Sequence, residues 1–360
     1  MTFYKQFFSI ALFFMPAIGF STPLLLAQEG PLFPTPLHYV IQHTSENIKI
    51  DGNLTEEAWQ KALWTATFVD IEGARKPLPD YKTQVKMLWS NTHLYIAARL
   101  EEPHIWAKQL NHDDIIFKDN DFEVFIDPHG KGHNYFELEI NALNKVFDLF
   151  MAKPYRAGGD ALISWNIKGL QSAISIDGTL NQADDIDRSW TIEMAIPLKA
   201  LYIGHPFRPP VEGSLWRINF SRVQWNTDIQ KGQYVKRKDK QGKDLPEHNW
   251  VWSPQGLINM HCPERWGYLL FTKKENTTFK LPYQELQKQY LWLVYERQQQ
   301  YRKKTGRYAP TLKALDITAQ QNIEGKLNQL RLEANSNQFT TSISMAGGKV
   351  IRLNQEGLIH

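Results

Sequence analysis

Two neighbouring segments constrain this chain more than any other part of it. In Asp121 to Asp127, Phe122, Val124 and Ile126 alternate with Asp121, Glu123, Phe125 and Asp127. In Tyr135 to Asn141, Phe136, Leu138 and Ile140 alternate with Tyr135, Glu137, Glu139 and Asn141. A period of two places each set on its own face of a strand. Pro128-His129-Gly130-Lys131-Gly132 between them is turn material, so the two are expected to pair as a hairpin. One face of that hairpin is apolar, and the other gathers Asp121, Glu123, Glu137, Glu139 and Asn141 beside Phe125 and Tyr135. Like charges in adjacent cross-strand positions destabilise a sheet unless an arginine, a cation, sugar hydroxyls or open solvent answers them.

The surrounding sequence extends the β pattern. Val85 to Trp89 and Leu94 to Leu100 flank Ser90-Asn91-Thr92-His93, a second hairpin signature. Ile48-Lys49-Ile50 runs into the turn Asp51-Gly52-Asn53 and then the short helical piece Glu56-Glu57-Ala58-Trp59. Further runs are Trp190 to Ile196, Leu215 to Val223 and Gly267 to Thr272. Many short strands with turn-rich connections favour a mainly β, antiparallel β-sandwich over a parallel α/β fold. The character changes after Lys274. Tyr283 to Lys304 contains neither Gly nor Pro and reads as an amphipathic helix stopped at Thr305-Gly306. Phe339 to Met345 and Lys349 to Leu353 read as a closing hairpin. The expected organisation is a signal peptide over 1–27, a proline-rich linker over 28–40, the sandwich over 41–273 and a small C-terminal α+β appendage over 274–360.

Charge and motifs narrow the function. Lys5 is the only charged residue among the first 27, and Phe7 to Phe20 is apolar, the pattern of a leader that directs export to the periplasm or beyond the cell. No transmembrane anchor is expected once it is cleaved. A net charge of +3 without a clustered basic face excludes a nucleic-acid partner, and Lys236-Arg237-Lys238 reads as a solvated loop. Cys262 is the single cysteine, so no intrachain disulfide forms. No G-x-S-x-G, H-E-x-x-H or phosphate-cradling loop is present, so no catalytic residue is assigned. His112-Asp113-Asp114, and His129 and His133 beside Asp127, are polar clusters better suited to calcium than to zinc. The 12 Trp, 14 Tyr and 19 Phe exceed ordinary core needs and invite ring surfaces that stack on a ligand. Carboxylates, amides and rings on one curved face suit a polyol, whose O–H groups seek acceptors and whose C–H faces seek rings.

Seven pieces run in order across about 230 residues: Ile50-Asp51-Gly52 with Ala58-Trp59; Val85 to Trp89 with Leu94-Tyr95-Ile96; Asp121 to Asp127; Tyr135 to Asn141; Trp190 to Pro197; Asn219 to Arg222; and Trp266 to Leu269. Together they resemble the family 9 carbohydrate-binding module and its exported bacterial relatives, a β-sandwich group related to the DOMON domains. The resemblance implies non-catalytic binding of a saccharide or polysaccharide, linked to polysaccharide use. Sugar-binding members clamp a terminal sugar between two tryptophans. Those positions correspond here to Phe117 and to the neighbourhood of Met260. Glu123 matches the family's glutamate, Asn141 the end of the partner strand, Glu139 stands where an arginine is usual, and Ser221 sits at a ligand-facing polar position. Trp106, Trp225, Trp250 and Trp252 are in reach as substitute rings, and Arg222 is expected at a strand end or bulge, in a salt bridge or against the ligand. Three other readings stay open at this point. One is a haem-binding DOMON-type electron-transfer protein using Met87, Met151, Met194 or Met260 as axial ligands. Another is glycoside hydrolysis by the acidic face. The third is an adhesion module with a protein partner.

Overall fold

The computed structural model describes residues 35–204 and 206–360. The expected signal peptide and the linker up to Pro34 lie outside the described residues. Strand β1 (His38–His43) leads to the short helix α1 (Glu57–Lys61) and to β2 (Val69–Asp70), β3 (Thr83–Trp89) and β4 (His93–Glu101). Next come β5 (Asp121–Asp127), β6 (Tyr135–Asn141), β7 (Val146–Met151), β8 (Ala161–Leu162), β9 (Gln171–Asp177), β10 (Ser189–Pro197) and β11 (Leu215–Gln224). The hairpin β12 (Thr227–Gln230) and β13 (Gln233–Lys236) precedes β14 (His248–Val251) and β15 (Gly267–Thr272). The C-terminal part holds α2 (Tyr283–Thr305) and strands β16 (Gln320–Ile323), β17 (Lys326–Ala334), β18 (Phe339–Met345) and β19 (Ile351–Asn354).

Strands β8-β7-β6-β5-β11-β15 form one layer and β3-β4-β10-β9 the other, with β14 and β2 branching from β11. Strand β1 stitches the layers, pairing in parallel with β15 over His38–Gln42 and with β3 at Gln42 and His43. The sandwich therefore begins at His38, inside the segment expected to be linker, because residues 38–40 find ladder partners on β15.

The alternation explains which face each strand buries. Phe122, Val124 and Ile126 from β5 and Phe136, Leu138 and Ile140 from β6 enter a single core with Met87, Ile96, Ile192, Ile218 and Leu269. The hairpin turn forms as its residues dictate. Gly130, Gly132 and Asn134 hold positive φ, and the Asp127 carboxylate accepts the backbone N–H groups of His129, Gly130 and Gly132. Asp127, His129 and His133 are not among the side-chain groups of the described residues whose ligand atoms converge within 4.8 Å.

The Asp51-Gly52 turn is locked onto the β3-β4-β10-β9 layer. The buried Glu193 carboxylate on β10 accepts N–H from Asp51, Gly52 and the Trp59 indole at 2.9, 3.0 and 2.8 Å. Gly52 holds φ +83°, and a Cβ there would stand 2.8 Å from the Ser175 nitrogen. The Ile50-Asp51-Gly52 and Ala58-Trp59 pieces are thus two sides of one buried contact.

The appendage packs α2 on a four-stranded antiparallel sheet ordered β16-β17-β18-β19. The expected closing hairpin is its β18–β19 half. The β16–β17 half turns at Glu324-Gly325, both at positive φ. This unit is tied to the sandwich. Arg217 on β11 pairs with Glu285 at 3.0 Å, and the Arg156 guanidinium, doubly bonded to Glu264, lies 5.3 Å from the Trp292 ring and 5.6 Å from the Tyr295 ring. Among the described residues no helix is long and apolar enough to cross a membrane.

Gly52→Ala is expected to lower the unfolding free energy by about 2 kcal/mol, combining left-handed strain with the steric clash. Urea midpoints at an unchanged m-value measure it, and a midpoint equal to that of the parent protein would contradict the packing described.

Candidate functional site

Pairing of β5 with β6 sets Asp121 opposite Asn141, Glu123 opposite Glu139 and Phe125 opposite Glu137. On the other side β11 sets Ser221 opposite Glu123. Cross-strand partners share a face, so these side chains stand together away from the apolar core. That face is not open surface. Glu123, Glu137, Glu139, Phe117, Phe125, Tyr155, Met260 and His261 line a cavity of about 460 Å³. Five of the chain's exposed large apolar side chains, Ile115, Phe117, Tyr155, Ile163 and Ile258, converge on the same cavity. An apolar rim over a polar floor is the usual anatomy of a small-ligand site.

The floor is electrostatically unanswered. Carboxylate oxygens of Asp121, Glu123 and Glu139 lie within 4.8 Å of one another, and no Lys or Arg forms an ion pair with them among the described residues. Burial first, and the neighbouring carboxyls second, push Asp121, Glu137 and Glu139 well above the usual carboxylate range. Glu123 is pushed up to about 7 by burial, with the Ser221 hydroxyl beside it offsetting part of the rise. One Asp121 oxygen accepts the Val223 N–H and the other has no hydrogen-bond partner. This oxygen set is of the kind that holds a hard cation such as calcium. A second group, His112, Asp113 and Asp148, also comes within that distance. Asp114, expected with His112, instead accepts N–H groups from Leu110 and Asn111.

The rings are held from behind. Glu139 accepts the backbone N–H of Phe117 at 3.0 Å, and the Trp225 indole donates to the Phe117 carbonyl at 2.8 Å. Phe117, 41 % exposed, is thereby presented at the cavity wall. Tyr155, 48 % exposed, lies edge-on to His261, whose other neighbours are the Tyr135 hydroxyl at 2.9 Å and Glu137 at 3.6 Å. Burial and the Arg156 charge lower the His261 pKa to about 4, so its ring is neutral.

Of the residues anticipated from sequence, Phe117, Glu123, Glu139 and Met260 line this cavity, and Ser221 stands next to Glu123. Four others do not join it. Asn141 is fully buried, its amide donating to Gln109 and Asp119 and its carbonyl accepting from Leu143 and Lys145, so it closes the hairpin end. Arg222 is neither at a strand end nor in a bulge. It continues the inward parity of Trp216, Ile218 and Phe220, and bonds Glu102, Thr83 and Gln224 beneath Trp250. It leaves the acidic face without a counter-charge. Trp252 fills the core against Phe220. Trp225 borders a separate cavity beyond Phe117. Met87, Met151 and Met194 are fully buried in packed clusters, and only Met260 of the four methionines considered for haem reaches the first cavity.

Sequence reasoning missed Tyr155, His261 and Glu247. Tyr155 sits in a short turn between β7 and β8 where no periodicity operates. An exposed aromatic after Lys153-Pro154 was the one available signal.

A curled antiparallel sandwich with a ring-rimmed, carboxyl-floored hollow on one outer face belongs to the class of β-sandwich ligand-binding modules. The carbohydrate family 9 binding domain-like model matches residues 50–250, and the chain belongs to that family. Among solved structures it is similar to a protein from Bacteroides uniformis provisionally described as carbohydrate-binding, at 16 % identity and TM-score 0.49 over 66 % of this chain and 100 % of that one. It is also similar to a family 9 carbohydrate binding module from Caldicellulosiruptor kristjanssonii, solved with glucose and with cellotriose. Identities are 12 % and 13 %, and TM-scores 0.43 and 0.42, over 68 % of this chain and 100 % of each module. No curated protein matches.

The raised carboxyl pKa values fix the sign of a pH dependence. The folded protein holds protons that the unfolded chain releases above pH ~4.5, so this contribution to stability is complete at low pH and is lost as pH rises through about 7. Urea midpoints should fall between pH 5 and pH 8.5. Glu139→Gln, which keeps an acceptor for the Phe117 N–H, should fall less steeply. Parallel slopes in the two proteins would show that the acidic floor does not titrate as described.

Proposed function

We propose that the cavity between Phe117 and Tyr155 is the saccharide site of a non-catalytic carbohydrate-binding protein. The observation that carries this reading is the burial of Glu123, Glu137 and Glu139 beneath a rim of exposed rings, in a chain of the carbohydrate family 9 binding domain-like family. A sugar ring satisfies both halves of such a site. Its hydroxyls donate to the carboxyl oxygens, and its C–H faces cover Phe117 and Tyr155. Sugar hydroxyls also replace the water that the buried carboxyls lack, which lowers the cost of ionising them.

Binding accounts for the geometry better than hydrolysis does. Glycoside cleavage needs two carboxyls flanking the scissile bond, whereas Glu123, Glu137 and Glu139 lie side by side on one sheet face. We further propose that the protein acts outside the cytoplasm in the use of polysaccharides. The apolar run Phe7 to Phe20 behind Lys5 supports this reading.

A thermal-shift screen against neutral and acidic mono- and oligosaccharides tests the proposal. A binding saccharide should raise the melting temperature in a concentration-dependent way. Tyr155→Ala should weaken it roughly tenfold or more, the cost of losing a ring anchor. Unchanged affinity in both Phe117→Ala and Tyr155→Ala would place the sugar elsewhere and refute the assignment.

A further inference from the structure

The far side of the Phe117 wall carries a second cavity, of about 560 Å³, whose chemistry is the reverse of the first. Lys108, Lys118, Lys236 and Lys238 line it against only two carboxylates, Asp119 and Asp244, a local excess of two positive charges. Asp244 is engaged by a lysine, and Asp119 is engaged through one oxygen while its other is buried without a hydrogen-bond partner. Asp119 accepts the backbone N–H groups of Lys108 and Gln109 and the Asn141 amide, and Asp244 pairs with Lys238 at 3.7 Å. Lys108, Lys118 and Lys236 have no carboxylate within ion-pair distance among the described residues.

Lys236 is the telling member of the set. The run Lys236-Arg237-Lys238 was expected to be a solvated loop. Arg237 and Lys238 do make exposed pairs, with Asp228 and Asp244. Lys236, however, turns inward at the end of β13 and places its ammonium 3.2 Å from the centre of the Trp225 ring. Burial lowers its pKa. A partly desolvated ammonium whose close partner is a π face has room for a stronger partner, and an anion supplies one. Trp106 and Tyr234 add ring surface to the same cavity, and Lys108 is pinned there by its bond to the Tyr234 carbonyl at 2.8 Å.

We propose that this second cavity is a subsite for an anionic sugar unit, one bearing a carboxylate or a sulfate ester. The choice of a sugar rests on the saccharide reading of the first cavity; the choice of an anion rests on the lysines alone. Phe117 belongs to both walls. An oligosaccharide crossing it meets acceptors on one side and ammonium groups on the other. The first cavity offers an anionic unit no lysine or arginine, and the lysines attract it into the second. The pair of cavities therefore selects an acidic oligosaccharide and sets its direction.

Calorimetric titration in about 20 mM salt, where surface charge is least screened, tests the subsite with three probes: trigalacturonate, a sulfated carrageenan-derived oligosaccharide, and neutral cellotriose. At least one anionic probe should bind roughly tenfold or more tightly than cellotriose and weaken as salt is raised. Which anionic probe binds separates carboxylate from sulfate recognition. The double variant Lys118→Ala with Lys236→Gln should erase the anionic advantage and leave cellotriose affinity unchanged, with the melting temperature confirming the fold. Tyr155→Ala should weaken the neutral and anionic probes alike. Cellotriose binding that depends on Tyr155, with no preference for either anion, would overturn the subsite and leave the first-cavity reading standing. An anionic preference that survives the lysine substitutions would overturn it as well. Absence of binding by all three probes would count against both readings.

Discussion

Pairing of β5 with β6 and β11 stacks Glu123 against Glu139 and Ser221, and the whole molecule is organised around that register. On its inner side the same register delivers six apolar side chains to the sandwich core, which makes it costly to change. A one-residue slip would exchange the two faces and drive carboxyls into the hydrophobic interior. The acidic face is therefore held in place by the core behind it, whatever it costs on its own. Like-charge crowding in a buried setting pushes these carboxyls toward the protonated form, and Arg222 on the same strand as Ser221 is bound to Glu102 on the core side.

The C-terminal unit takes part in this arrangement from a distance. Tyr155 precedes Arg156, and Arg156 is clasped by Glu264 on one side and by Trp292 and Tyr295 of α2 on the other. Lys153, two residues before Tyr155, reaches Glu356 at 2.9 Å. The short turn that presents Tyr155 is thus gripped by the appendage at both ends. Rigid presentation of a ring reduces the entropy lost on binding, so the appendage contributes to the site without lining it. Phe117 is fixed by a different device, hydrogen bonds from its own N–H and carbonyl to Glu139 and Trp225. One wall of the cavity depends on the sandwich alone, the other on the junction.

How far the sequence disclosed this varies with the kind of constraint. The hairpin, its polar face and the membership of Glu123 and Glu139 were legible because alternation is a local signal and burial enforces it. The Gly52 turn was legible for a similar reason: only glycine fits a left-handed position pressed against a neighbouring strand. The salt bridge expected of Arg222 forms, with Glu102, but its place in the strand, and that of Asn141 away from the cavity, were misjudged because polarity on a strand does not reveal which partners wait on the facing element. Arg222 kept the inward parity that its charge seemed to forbid, since Glu102 and Thr83 meet it there. The places of Tyr155 and Lys236 on the cavity walls were not legible. Each is placed by contacts with residues distant in the chain, and neither lies in a periodic run. Strands β16 and β17 were missed because their polar outer residues mask the alternation, although Glu324-Gly325 marks their turn.

The place where a sugar sits decides whether the hollow between Phe117 and Tyr155 is a saccharide site. A crystal structure of the protein grown with the tightest-binding saccharide of the screen measures this directly. The expected result is a sugar ring between Phe117 and Tyr155, with hydroxyls within hydrogen-bond distance of Glu123 or Glu137. A saccharide bound on another face, with those carboxyls contacted only by water, would contradict it.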